Sequence, residues 1–310
     1  MSDFDPAATA EGVSTARTGV AAFPYRRDVI EVSGPDAVTY LQGQVSADVA
    51  GLGVGESCWS LLLEPQGKVD AWLRLTRVAE SELLIDVDGG WGERTLTRLQ
   101  RFLLRVDVTI EATERACVAL RGPLAPDAVD SVADAAVVAS VDWRGLAGVD
   151  LIGASGAAPV VPEAIPSPDP SALHVLRVEQ GWPAMGHELD SSTIPAEAGQ
   201  WLIDASVSFT KGCYTGQELV ARVDSRGGNT PRHLRGLLLS DVGGSMTAPE
   251  SGTAVLFDGV ERAVVTSSAH SPTIGAPIAL ALVHRSVELG ATVDVGGTPA
   301  TVVDLPFVGP

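Results

Sequence analysis

The chain has 310 residues, enough for two or three domains, and 45% of them are hydrophobic, so it can bury a sizeable core and need not be disordered. It carries 21 Lys and Arg against 39 Asp and Glu, a formal net charge of −18. Such an acidic chain repels phosphate backbones and anionic lipid, which argues against nucleic acid and membrane surfaces as partners.

Cys58, Cys117 and Cys213 are far apart in sequence and form no C-x-x-C pair. This excludes a disulfide framework or a cysteine-rich zinc site within one chain. The opening Met1-Ser2-Asp3-Phe4-Asp5 is acidic and lacks the apolar stretch of a secretory signal. No apolar run approaches the roughly 20 residues of a membrane helix. These features predict a cytoplasmic protein.

Residues 1–19 are small and polar and read as loose. Val29–Val32 reads as a strand, and Pro35 and Asp36 open a helix that ends at Gly43. Strands follow over Cys58–Leu63, Val69–Leu75 and Leu83–Ile85, with Pro65-Gln66-Gly67 as a turn between the first two. From about Trp91 to Leu104, Leu96, Leu99 and Leu103 recur at helical spacing, and Arg94, Arg98, Arg101 and Arg105 mark another face.

Further strands are expected at Val106–Ile110 and Cys117–Leu120. Five prolines between 159 and 170 make a stiff connection to a short helix, Leu173–Gln180. From about Leu234 onward short apolar runs alternate with Asp258-Gly259 and Gly296-Gly297, which read as hairpin turns of a small antiparallel barrel. The mixture of helices and strands predicts an α+β class.

The chemistry is densest in Lys211-Gly212-Cys213-Tyr214-Thr215-Gly216-Gln217-Glu218. A thiol reacts as thiolate, and a nearby cation such as Lys211 favours that form. A lone cysteine is more often a small buried hydrophobe. The polar, glycine-flanked setting makes Cys213 a candidate reactive group, with Lys211 as a pKa-lowering or anion-holding residue, Tyr214 as a stacking surface and Gln217 as a reader of ring edges. Cys58 and Cys117 lie in apolar strands and read as inert. The five histidines show no metal-ligand spacing, so no metal site is expected.

This octapeptide resembles the Lys-Gly-Cys-Tyr-x-Gly-Gln-Glu signature of the YgfZ family of folate-binding proteins. The similarity extends to Arg177-Val178-Glu179-Gln180-Gly181 with Gly186, Glu188 and Ile194-Pro195. It also covers Gly34–Val49, the loop Pro65–Lys68, and Thr266-Ser267 with Ser271-Pro272, nearly the whole chain. The wider superfamily includes the tetrahydrofolate-dependent aminomethyltransferase of the glycine cleavage system.

The resemblance implies a three-domain ring around a folate cavity. Residues 1–232 would form two α+β domains, the second inserted into the first at about 52–140, and residues 233–310 the barrel. It implies a tetrahydrofolate-binding accessory protein of iron–sulfur cluster assembly or repair, serving radical enzymes that modify tRNA. Its partners would be the assembly machinery or client enzymes.

A pterin presents adjacent N–H donors, which a carboxylate accepts together. The resemblance places Glu179 in that role, beside Arg177, Tyr214, Gln217 and, from a turn-like stretch, Gln44. Folate's anionic glutamate tail calls for a cation, for which Arg222, Arg226 and the stripe Arg94, Arg98, Arg101 and Arg105 are candidates, most of the stripe reading rather as a solvated helix face. Aminomethyltransferases carry paired aspartates after the glycine turn that corresponds to Gln66-Gly67. Here the stretch reads Val69-Asp70-Ala71-Trp72, leaving Asp70 as the one acid or base for a transferase or demethylase alternative.

Overall fold

A computed structural model describes residues 5–240 and 247–309. In chain order it places α1 (Pro6–Thr18), β1 (Ala21–Tyr25), β2 (Arg27–Ser33), α2 (Ala37–Gln44), β3 (Ser57–Leu63), β4 (Val69–Ala79), β5 (Glu82–Asp88) and α3 (Gly92–Gln100). These are followed by β6 (Thr109–Thr113), β7 (Cys117–Arg121), α4 (Ala125–Ala128), β8 (Ala135–Trp143), β9 (Leu146–Gly153) and α5 (Ser171–Glu179). The last elements are α6 (Gln200–Ser206), α7 (Gln217–Asp224), β10 (Arg232–Leu239), β11 (Ala254–Phe257), β12 (Val260–Ser271), β13 (Ala276–His284), β14 (Thr292–Val295) and β15 (Thr298–Val303).

The strands form a four-stranded sheet of order β1-β7-β9-β8, a five-stranded sheet of order β3-β4-β5-β2-β6, and a closed barrel of order β10-β13-β12-β11-β14-β15. The α+β class and the C-terminal antiparallel barrel are therefore both present. Asp258-Gly259 and Gly296-Gly297 take positive φ at both residues, the geometry of the tight hairpin turns that close β11–β12 and β14–β15.

Four features differ from the sequence reading. Residues 6–18 form a helix rather than a loose end. Asp5 accepts from the Ala7 and Ala8 amides, and Pro6 occupies the first helical position. Helix α3 stops at Gln100, before Leu104, and Arg105 adopts a left-handed φ of 60°. The following strand starts at Thr109, three residues later than Val106. Finally, the chain leaves the four-stranded sheet after Tyr25 and re-enters it at Cys117, so the five-stranded sheet occupies that interval and not 52–140. The pairing of β2 with β5 and β6 sets this boundary, and a single strand's pattern does not reveal its partners.

Ionic contacts bridge the two sheets. Arg74 of β4 donates to Asp86 of β5 at 2.9 Å and to Asp150 of β9 at 2.8 Å. Arg27 donates to Asp86 at 2.8 Å, and Arg121 pairs with Asp150 at 2.8 Å. All five side chains are at least nine-tenths buried. Above them lies a cluster of indoles, with Trp59 stacked on Trp72 at 4.4 Å and Trp182 lying 5.0 Å from Trp72, 5.2 Å from Trp201 and 5.7 Å from Trp143. No described helix is long and apolar enough to cross a membrane.

Candidate functional site

The motif loop is held by its own residues. The Lys211 ammonium donates to the carbonyls of Val45 and Ala47, each at 2.7 Å, and sits 5.2 Å from the centre of the Tyr214 ring. The segment after α2 is thereby pinned to the loop. The Tyr214 amide donates to Oε1 of Gln217 at 3.2 Å, closing the turn that starts α7. The Tyr214 ring is buried and its hydroxyl is pushed up to about 12. Within the loop, Gln217 thus uses its Oε1 on the Tyr214 amide, and the Tyr214 ring faces the Lys211 ammonium.

The close approach of two glycines braces this loop from below. Gly67, at φ 80°, lies where a Cβ would come within 2.4 Å of the Leu219 Cβ and 2.9 Å of the Gly216 carbonyl. Gly216, at φ 82°, abuts the Glu64 carbonyl and Leu63. The β3–β4 turn and the motif are thus one packed unit. Gly67→Ala is expected to cost about 2 kcal/mol of stability, through φ strain and overlap together, measured as a lowered urea midpoint.

Cys213 lies in this loop and is exposed. The other two thiols are suppressed: burial pushes Cys58 up to about 11, partly offset by Lys211, and burial together with Asp86 pushes Cys117 up to about 12. Their inert character agrees with the reading from sequence.

Burial pushes Lys211 down from 10.5 to about 8, against the pull of Asp48. Between those two pH values the unfolded chain holds the proton and the native chain does not. Native stability contributed by Lys211 therefore rises from pH 8 towards 10.5. Urea denaturation of Lys211→Met, in which this component of the pH slope vanishes, checks the expectation.

Asp70 projects from β4 toward α3 and is 6% exposed. Oδ1 accepts from Arg94 at 2.7–2.8 Å, and Oδ2 lies 3.5 Å from Nε of Arg98. Both carboxylate oxygens face guanidinium groups, in the wall of an open cavity of about 630 Å³ that also includes Pro65 and Arg101. Asp70 and Cys213 stand on the same β3–β4/α7 unit, and Asp70 is committed to ion pairs.

Glu179 and Arg177, expected to hold a pterin, each have partners within the protein. Glu179 is fully buried. Its Oε2 accepts from Nε and Nη2 of Arg17, at 3.1 and 2.5 Å, and its Oε1 accepts from the Ser271 hydroxyl at 2.5 Å. The adjacent pair of N–H donors expected from a ligand is supplied by Arg17 of α1. Arg177 donates to the Trp182 carbonyl at 2.9 Å, to Glu188 at 3.0 Å and to Ser267 at 2.6 Å, tying α5 to the barrel. Arg222 is exposed on α7, remote in role from these ties.

Gln44 alone among the expected residues keeps a buried acceptor, Oε1, without a partner. Both Glu179 carboxylate oxygens are engaged by Arg17 and Ser271, so a pterin would have to displace Arg17 to pair with Glu179, whereas Arg177 keeps its Nε–H outside the three contacts it makes. Sequence reasoning missed Arg17 because its segment was read as loose. The Asp5-Pro6 helix start is the signal that could have found it. Among the described residues, no group of three or more His, Cys, Asp or Glu is placed to hold a metal.

Comparison with known proteins matches residues 4–155 to the GCVT N-terminal domain and residues 232–309 to the glycine cleavage T-protein C-terminal barrel domain. The chain is 30% identical over 317 residues to an aminomethyltransferase of Saccharopolyspora erythraea, covering 90% of this chain and 83% of that one. It is 30% identical over 306 residues to the aminomethyltransferase of Thermus thermophilus, covering 89% and 83%. A Haemophilus influenzae protein described only as uncharacterized is 26% identical over 211 residues, covering 65% of this chain and 67% of that one. The glycine cleavage system aminomethyltransferase T from Bartonella henselae superposes with a TM-score of 0.77 at 22% identity, covering 97% of this chain and 89% of that one. The fold is aminomethyltransferase-like throughout.

Proposed function

The chain belongs to the aminomethyltransferase family of the glycine cleavage T-protein, with its folate-binding type of fold, and from that premise we propose that it works through a thiol and not through a carboxylate. The reading is a cytoplasmic accessory protein for assembly or repair of iron–sulfur clusters, with Cys213 as its working group. The observation that carries it is the contrast within one packed unit. Cys213 is the exposed thiol in the motif loop, and Asp70 is locked between Arg94 and Arg98.

The Lys-Gly-Cys-Tyr-x-Gly-Gln-Glu signature, which resembles the YgfZ family, supports the assignment to cluster chemistry. Lys211 and Gln217 act as positioning residues for the loop. Iron–sulfur clusters commonly take four protein ligands, so one cysteine meets a cluster only together with ligands from a client or assembly protein. Tetrahydrofolate is the expected small-molecule ligand of the family fold. Deleting the gene should lower the activity of cluster-dependent enzymes, including radical enzymes that modify tRNA, and the wild-type chain should restore it. Unchanged activity in the deletion strain sinks the reading.

A second reading, a folate-dependent one-carbon transferase or demethylase, rests on the similarity to relatives described as aminomethyltransferases. It would use Asp70. Substrate-dependent turnover of tetrahydrofolate that Asp70→Asn abolishes and Cys213→Ala spares would establish it in place of the first.

A further inference from the structure

The cavity beside α3 is built from side chains that the motif loop does not use. Arg94, Thr97, Arg98 and Arg101 line it from the helix, and Asp70 and Pro65 line it from the β3–β4 side. On a chain of net charge −18, three arginines within eight residues that share one wall are a local reversal of sign along the helix. The formal charges of the whole lining balance, since Glu64 and Glu93 also border it.

The hydrogen-bonding capacities do not balance. A guanidinium carries five N–H donors and no acceptor. Asp70 is shared by Arg94, which hydrogen-bonds Oδ1, and Arg98, whose Nε lies 3.5 Å from Oδ2, so this one carboxylate faces two guanidinium groups. Arg98 is 7% exposed, and its buried Nη1 has no hydrogen-bond partner. Arg101 is exposed and forms no ion pair among the described residues. A buried charged donor without an acceptor is costly, and a ligand rich in oxygen acceptors relieves it. A flat guanidinium also pairs with carboxylate and phosphate oxygens in fork geometry.

We propose that this cavity binds a small, multiply charged oxyanion, a phosphate or a dicarboxylate, held by Arg98 and Arg101 with the Thr97 hydroxyl beside them. The site is independent of the thiol. Its rim residues Glu64 and Pro65 belong to the turn whose Gly67 abuts Gly216, so an occupant would lie against the unit that carries Cys213.

The test is calorimetric titration of the full-length protein at low salt with inorganic phosphate and, separately, with succinate. Wild type should bind at least one of them saturably. Arg101→Ser should weaken that binding about tenfold, the loss of one charge-assisted contact, and Arg98→Gln should weaken it further. Arg98 is buried, so Arg101→Ser, altered at an exposed position, carries the test if Arg98→Gln does not fold. Binding of phosphate alone assigns a phosphate ligand, binding of succinate alone a carboxylate ligand, and binding of both a general oxyanion site. No saturable heat from either anion, or Arg101→Ser with wild-type affinity, overturns the proposal. Neither result bears on Cys213, so failure here is distinct from failure of the thiol reading.

Discussion

Asp150→Ala is expected to lower the free energy of unfolding by about 3–5 kcal/mol, a large share of the stability of an ordinary domain. Asp150 sits on β9 and pairs with Arg121 and with Arg74 of β4, each at 2.8 Å. The two guanidinium groups are 0% and 2% exposed, so water cannot replace the lost carboxylate. Arg74 retains Asp86, at 2.9 Å, but Arg121 is left against the Trp143 ring, 4.1 Å away, with no counter-charge. The contact with Arg74 also joins the two sheets, so its loss loosens their packing as well as stranding a charge.

The pH dependence has a definite sign. Burial pushes the Asp150 carboxyl up, and Arg121 and Arg74 outweigh it, holding the carboxyl below its ordinary 3.8. Its contribution is therefore fully present above that value and is lost as pH falls through the lower native one. Urea denaturation at neutral and acid pH should give a large deficit for Asp150→Ala at neutral pH that shrinks in acid. A neutral-pH deficit under about 1 kcal/mol, the typical effect of a single substitution, would contradict the account.

Much of this architecture is legible in the residues, and what is not has physical reasons. The C-terminal barrel is readable because Asp258-Gly259 and Gly296-Gly297 demand positive φ at adjacent positions, which few residues other than glycine, asparagine and aspartate supply. Helix α1 is marked by Asp5-Pro6 but carries mostly small residues, and its buried face, Thr9, Gly12, Val13 and Ala16, offers almost no hydrophobic stripe. Its place is set by tertiary contacts, such as Gly12 against Pro168 and Ala172.

The same limit applies to the site. The proposal for Cys213 starts from eight consecutive residues that carry a pattern visible in the sequence. Glu179 reads as a ligand carboxylate from its neighbours in sequence, yet its partners, Arg17 and Ser271, lie 162 and 92 positions away. A carboxylate's vacancy depends on those distant groups, and no local pattern encodes them. Asp70 is similar: the helical stripe Arg94, Arg98, Arg101 is visible in the sequence as a face, and its closure onto β4 is not.

The measurement that tests the thiol reading most directly is rescue in cells lacking the endogenous protein. Wild type, Cys213→Ala and Asp70→Asn are expressed at matched levels, and the activity of a cluster-dependent enzyme is read. Cys213 is exposed and Asp70→Asn keeps the side-chain shape, so both variants should fold, which unfolding midpoints of the purified proteins verify. The account predicts wild-type rescue by Asp70→Asn and activity no better than empty vector with Cys213→Ala. Full rescue by Cys213→Ala together with failure of Asp70→Asn would contradict it and return the chemistry to the carboxylate.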